Sequence, residues 1–336
     1  MQYLSLFKTS FTAWKNDKAP QLAAATAYYT IFSLAPLLVI IISLAGFFFD
    51  SATVQTRIIE QAGTMVGAEG AEAISTMLSA AEQSPRSFAA TAVGILVLII
   101  GATGLLVALQ NAFNSIWKVS LKKEKGHLVA TILKRIFSFG LILAIGFLLM
   151  VSLVLSAGVS FFIEIASTNL TWLTTLLPLL DLAVSLVVTT ALFALLFKYL
   201  PDVHLDWRHI IVGAVLTAFF FTAGKSLLGW YLGQRNFTSA YGVAGSLIVL
   251  LVWVNYSAQI MFFGVEFTKA YTEERHGLPK PKKYAEYVGL PQTSSAPRAR
   301  GSLAFVDIIL AATLVLAEFK LFKWRHYIKK ITGLLK

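Results

Sequence analysis

The chain has 336 residues, of which 57% are apolar and only 13% charged, and it carries a net charge of +11. That apolar excess excludes an ordinary soluble domain. The absence of cysteine excludes disulfides, thiolate zinc sites and cysteine nucleophiles.

In chain order, residues 1–21 place Leu4, Phe7, Phe11 and Trp14 at helical spacing. This predicts a short amphipathic helix, either lying on the inner membrane surface or packed on the rest of the protein. The first long apolar run, Leu22–Phe49, is too long for a signal-peptide core and is read as a retained span. Pro36 within it is expected to kink the helix or free a carbonyl, so it is the hinge candidate. Thr26, Tyr29, Thr30 and Ser33 precede that proline on one face. Residues 51–87 read as one or two short amphipathic outer helices, punctuated by Gly63–Gly70 and Ser84–Pro85. A second run, Phe88–Leu109, ends in Gln110, Asn111, Asn114 and Lys118. The third, Ile132–Ile163, carries Ser152, Ser156 and Ser160 as a packing seam.

The fourth run, Leu176–Tyr199, has Pro178 in its first turn and Asp181, Ser185 and Thr189 at four-residue spacing. The fifth, Ile210–Leu232, carries Lys225 at a depth similar to that of Asp181, which predicts an ion pair near the outer side. The sixth, Gly242–Ala270, places Asn255, Gln259 and Glu266 on one helical face. Residues 273–302 are rich in Pro, Lys, Arg and Ser and read as a basic cytoplasmic linker. A seventh apolar stretch, Leu303–Phe319, precedes a basic tail. As a span it would put that tail outside, against the charge rule, so the favoured reading is an inner-surface helix held partly by anionic lipid, with a true seventh span as the alternative because the run is strongly apolar.

A spanning helix needs about 20 apolar residues, and each of the six runs meets that length. The fold class expected is all-α, an integral membrane bundle of six transmembrane helices with amphipathic surface helices. Lys and Arg concentrate in the N-terminal segment, the second and fourth loops and the tail after run six, while the other loops are poor in them. Positive-inside counting therefore puts both termini in the cytoplasm. The domain plan is 1–21 as a surface helix, 22–272 as the membrane domain with 51–87 as an outer amphipathic loop, 273–302 as linker, and 303–336 as a C-terminal helix and tail.

Function has to be read from polar groups inside the bilayer, which face the bundle or a wet cavity and are functional candidates by default. Glu266, Gln259, Asn255, Thr26, Tyr29, Thr30, Ser33, Gln110, Asn111 and Asn114 all fall toward the cytoplasmic half, and are the candidate lining of a path opening inward. The competing interpretation of the same residues is interhelical hydrogen bonding. No phosphate loop, dinucleotide fingerprint or paired-histidine metal helix occurs, so no cofactor, metal or catalytic residue is assigned. The cluster Asp202, His204, Asp206 and His209 reads as a solvated loop. Beside a membrane, anionic headgroups are the expected partner of the basic segments, with no nucleic acid. Small-residue faces permit a homo-oligomer.

Several segments together resemble the YihY/BrkB family. They are residues 24–36 (Ala24-Ala25-Thr26-Ala27-Tyr28-Tyr29 through Pro36), residues 111–117, the turn Tyr199-Leu200-Pro201-Asp202, the stretch Tyr241-Gly242-Val243-Ala244-Gly245-Ser246, and Gly264-Val265-Glu266-Phe267. The resemblance covers roughly residues 10–275 and implies a six-span protein of the bacterial inner membrane, linked to envelope integrity and to lipid export. A tRNA-processing ribonuclease label once attached to such chains finds no metal-hydrolase constellation here. The readings carried forward are a transporter or flippase-like protein for a lipid or amphipathic anion, a non-enzymatic scaffold for envelope lipids or proteins, and a membrane-bound hydrolase using the Asp202–His209 cluster.

Overall fold

The computed structural model describes residues 2–46, 50–82, 103–122, 140, 173–233 and 243–288. The chain divides into two units, Met1–Ser295 and Ala296–Lys336. The second lies outside the described residues, as do most of the third apolar run with Ser152, Ser156 and Ser160, the start of the second run, and the seventh apolar stretch.

Helix α1 is Gln2–Asn16, α2 is Ala19–Ala45 and α3 is Ser51–Glu82. Residues 103–116 are helical and form α4. Strand β1 is Val119–Leu121; α5 is Leu173–Tyr199, α6 is Trp207–Gly233, α7 is Val243–His276 and β2 is Ala285–Tyr287. Three of these helices contain segments long and apolar enough to cross a membrane: Leu182–Tyr199, Trp207–Lys225 and Gly245–His276. At 1.5 Å per residue α7 extends about 50 Å, more than the roughly 30 Å hydrocarbon layer. It is also the central strut, packing against α1, α2, α3 and α6.

Helices α1 and α2 are joined by a two-residue turn, Asp17-Lys18. Lys18 takes φ 54°, the left-handed conformation that lets the chain reverse at once. A β-branched side chain is an outlier there, so Lys18→Val should lower the thermal midpoint of purified protein while Lys18→Gly leaves it unchanged or raises it. Differential scanning fluorimetry in detergent reads the difference. The residues of α1 do not simply lie on a surface. Leu6 and Ser10 are buried, and Phe7 packs among Phe220, Phe263 and Phe267 at ring-centroid distances of 6.0, 5.8 and 5.4 Å. Leu4 and Phe11, which flank Phe7 at helical spacing, are exposed.

The main core lies where the ends of α4, α5 and α7 meet. Phe113 stands edge-on to Phe197 and Phe262 at 5.8 and 6.1 Å, the arrangement that aromatic quadrupoles favour. Trp117, Ile116, Val203 and Ile210 close around them. This end of the bundle also carries Lys18, Lys118, Lys198, Lys269 and Lys282 and is called the lysine-rich end below. A second core joins Leu38 of α2, Ala73, Ile74 and Leu78 of α3, and Leu250 of α7.

The α6–α7 contact is built from a matched pair of small residues. Gly213 faces Thr268, and Gly264 faces Thr217, so each helix presents Gly-x-x-x-Thr to the other. Each threonine hydroxyl donates back to its own helix, Thr217 to the Gly213 carbonyl at 2.6 Å and Thr268 to the Gly264 carbonyl at 2.7 Å. The hydroxyls are thereby satisfied without a partner across the seam, and the two backbones can close.

Three sequence expectations change. The stretch read as one or two short outer helices is a single helix of 32 residues. An interior glycine costs about 1 kcal/mol relative to alanine, but the apolar face of Ala73, Ile74 and Leu78 docks on α2 and α7 and outweighs it. Its first turn is capped by Asp50, whose carboxylate accepts from the Thr53 N–H at 2.9 Å and the Thr53 hydroxyl at 3.0 Å. The Thr53 N–H, then the hydroxyl, hold that carboxyl below its ordinary range, so the cap holds above the usual carboxylate range and is lost as pH falls through the depressed value. The segment read as a linker from 273 is structured to 288. Residues 273–276 finish α7, Gly277 ends it at φ 75°, and Ala285–Tyr287 pairs antiparallel with Val119–Leu121. The all-α expectation therefore lacks this small two-stranded ribbon. At Pro36 a kink or a freed carbonyl is expected; α2 runs helically through it, and proline lacks the N–H that would bond the Phe32 carbonyl, so that carbonyl has no intrahelical donor from position 36.

Candidate functional site

Two polar groupings occupy the lysine-rich end. The first centres on Glu266, which is 1% exposed, with neither carboxylate oxygen hydrogen-bonded among the described residues. Spacing on α7 puts Lys269 on the same face, three residues on. Lys269 donates to the Ile116 carbonyl at the end of α4, at 2.8 Å, and lies 3.8 Å from Asp17. Lys118 sits just past that helix end at φ 56°, and its ammonium is 2.7 Å from the other oxygen of Asp17. Asp17 thus bridges two lysines, one following α4 and one on α7. The charges acting on Glu266 are Lys269, Asp17 and Lys118.

The second grouping centres on Asp202, in the loop between α5 and α6, which is fully buried. Its carboxylate accepts from Asn114 at 2.8 Å, from the Tyr284 hydroxyl at 3.1 Å and from Gln110 at 3.3 Å. The Lys282 ammonium lies 4.0 Å away. Asn114 also accepts from the Asp202 N–H at 2.9 Å, so the pair is reciprocal. Tyr284 and Lys282 belong to a strap, residues 277–288, that crosses this end. The Lys282 N–H bonds the Asp202 carbonyl at 2.9 Å and the His204 N–H bonds the Lys280 carbonyl at 2.8 Å. The Lys122 N–H bonds the Tyr284 carbonyl and the Val288 N–H bonds the Lys118 carbonyl. Burial and then Glu273 push the Tyr287 hydroxyl up to about 12. Burial and then Asp202 raise Tyr284 further. Both hydroxyls therefore remain donors at any physiological pH.

The residues read from sequence as a path fall as follows. Thr26, Thr30 and Ser33 are buried, with Thr26 and Thr30 donating to the Leu22 and Thr26 carbonyls at 2.8 and 2.7 Å. Tyr29 is 48% exposed, turned away from them, with Tyr28 and Phe32 also exposed. Gln259 donates to Asn255 at 2.6 Å, and its carbonyl accepts from the Trp14 indole at 3.3 Å. Gln110 and Asn114 are bound to Asp202, and Asn111 is exposed. The expected pair of Asp181 and Lys225 rests on an Asp181 side chain outside the described residues.

The Asp202–His209 cluster does not form a metal site. Among the described residues no group of three or more His, Cys, Asp or Glu side chains could hold a metal. Asp202 is spent on the strap. His209 is buried against His276 and Tyr271, at ring-centroid distances of 4.4 and 5.9 Å, and the Asp206 carbonyl accepts from the His209 and Ile210 N–H groups at the start of α6.

Asp17 was missed in the sequence. It is the sole carboxylate among the first 49 residues, and a lone acid in a segment with three lysines is the signal that pointed to it. Tyr284 and Lys282 were missed because they lie in the stretch whose composition reads as linker.

The Virulence factor BrkB family matches residues 10–287 of this chain. A UPF0761 membrane protein from Pseudomonas paraeruginosa is 29% identical over 284 residues, covering 79% of this chain and 63% of that protein. One from Alkalilimnicola ehrlichii is 27% identical over 274 residues, covering 78% and 58%. One from Neisseria meningitidis serogroup B is 26% identical over 257 residues, covering 76% and 60%. The chain thus spans about three fifths of the length of the curated relatives it matches. No solved structure matches it. The chain belongs to the BrkB family and is a membrane protein.

Proposed function

We propose that this BrkB family protein is a non-enzymatic, flippase-like transporter for a lipid or an amphipathic anion, sited in the bacterial inner membrane and serving envelope integrity. In this reading six helices span the bilayer, both termini lie in the cytoplasm, and the lysine-rich end faces inward as the positive-inside rule requires. Anionic headgroups gather at those lysines, and the chain self-associates through its small-residue faces.

The observation that carries the proposal is Glu266, a fully enclosed carboxylate with no donor among the described residues, on a helix that crosses the membrane. Ionisable groups in that setting mark ion or substrate pathways. With no nucleotide motif in the sequence, transport is passive or ion-coupled, and Glu266 carries the proton. Glu266→Ala should reduce lipid translocation by reconstituted liposomes to the level of protein-free vesicles, with the thermal midpoint retained. Loss of the folded protein instead would mean that Glu266 serves structure.

A scaffold is the second reading, and one observation favours it: Asn255, Gln259, Gln110 and Asn114 bond within the protein rather than standing free along a path. It predicts wild-type behaviour from Glu266→Ala and loss of bound partners or lipids when residues 279–336 are deleted.

A further inference from the structure

The transport reading assigns Glu266 a proton but gives no account of how a group 1% exposed exchanges it with water. Ala19 and Ala23, both fully buried, lie where α2 leaves the Asp17-Lys18 turn and belong to the same core as Phe262 and Val265, the latter preceding Glu266 on α7. Among the described residues the turn's ion pairs to the rest of the bundle run through Asp17, to Lys118 at 2.7 Å and to Lys269 at 3.8 Å. The side chain of Asp17 is 11% exposed, that of Lys269 15% and that of Lys118 42%, so water reaches the fastening more readily than it reaches the enclosed carboxylate.

We propose that Asp17, Lys118 and Lys269 form an ion-pair clasp that closes over the Glu266 proton site, and that loss of the Glu266 proton opens it. An ionised carboxylate without donors is strongly disfavoured in an enclosed site, so the closed arrangement belongs to the neutral acid. When the O–H bond breaks and the proton passes to water, a second negative charge stands beside Asp17. Glu266 then repels Asp17 and competes with it for Lys269, three residues along the same helix. Glu273, the next carboxylate on that helix, also acts on Lys269 and Asp17 and adds to the competition. The clasp loses one of its two lysines, Asp17 keeps Lys118 as its remaining ion-pair partner among the described residues, and the turn loosens. Asp17, Lys118 and Lys269 are positioning residues in this scheme, and the proton is the ligand. The purpose of such a gate rests on the transport reading; its operation does not, so the two can fail separately.

The absence of native cysteine makes a direct test clean. Ala23→Cys places a thiol at a fully buried position in the first turns of α2, and Asn16→Cys, at an exposed position, gives a reference for the intrinsic pH dependence of the thiol. Labelling of each by a polar maleimide is measured on the full chain in detergent from mildly acid to mildly alkaline buffer. The ratio of buried to exposed labelling should rise several-fold with pH. It should stay low and flat with Glu266→Gln, which keeps the shape of the side chain, and stay high throughout with Asp17→Asn. A flat ratio in the otherwise native background overturns the proposal, as does an unchanged rise with Glu266→Gln. Thermal melting of each variant separates an opened clasp from an unfolded chain. Lys118→Met is the second route to an open clasp should Asp17→Asn not fold. Lipid transport does not enter this readout, so an absence of translocation in liposomes would defeat the transport reading and leave the gate standing.

Discussion

Gly264→Leu should leave no folded protein in the membrane fraction. The first atom of any side chain at Gly264 would overlap the Thr217 hydroxyl and stand 3.1 Å from the Phe197 ring. Overpacking an ordinary core costs about 1–3 kcal/mol, because neighbours can shift. Here the obstruction begins at Cβ, and Thr217 is held by its bond to the Gly213 carbonyl. Helices that meet through small residues cannot separate without losing the contacts that hold them. Even Gly264→Ala should lower the thermal midpoint by many degrees, and Gly213→Ala should do the same against Thr268. The pairing makes the prediction sharper than a single loss. Thr217→Ala should partly rescue Gly264→Ala and do nothing for Gly213→Ala, while Thr268→Ala should show the reverse preference. Residues in direct contact couple and distant ones add. Size-exclusion recovery and melting of the two single and four double variants would read that crossed pattern; rescue without preference would mean that the seam is not as close as described.

The helices long and apolar enough to cross a membrane, α5, α6 and α7, were legible because a long apolar run has few alternative fates. The family too was legible, since five short segments that resemble it occur in order along the one chain. What stayed hidden depends on contacts distant in sequence. Nothing local in residues 279–288 shows that their backbone groups will find Lys118, Lys122, Asp202 and His204. Nothing local in Ser51–Glu82 shows that α2 and α7 will support a helix across its glycines. In the candidate site the stripe on α7 was visible, since helical spacing alone aligns Asn255, Gln259 and Glu266. Its neighbours were not: Asn114 and Gln110 share its end of the bundle but serve Asp202, and the group that reaches Glu266's surroundings is Asp17. Tyr29 shows the limit of face-counting, because a helix in a bundle has buried residues over a wide arc and one step of 100° turns a side chain outward.

Asp202→Ala should unfasten the strap. The carboxylate gathers Asn114, Gln110, Tyr284 and Lys282, donors from the end of α4 and from the strap, around one buried charge. Removing one member of a buried charged network costs about 3–5 kcal/mol, since the remaining groups keep their desolvation without their partner. Tyr284→Phe removes one donor to a charged group and should cost about 1.5–3 kcal/mol. Asp202→Asn should fall nearer to alanine than its shape suggests, because its amide would present hydrogens to donors already pointing inward. Lys282 and Lys283 offer trypsin a site within the strap, so the initial cleavage rate there should rise from wild type through Tyr284→Phe to Asp202→Ala. The ribbon between Val119–Leu121 and Ala285–Tyr287 is too short to hold the segment alone, as isolated two-stranded pairs are marginal in water. Equal cleavage rates across the series would assign the anchoring to that ribbon and to the backbone bonds of Lys280 and Lys282. A graded rise would make Asp202 the point where the strap, the α5–α6 loop and the end of α4 are joined, and would place its release within reach of whatever neutralises or displaces Lys282.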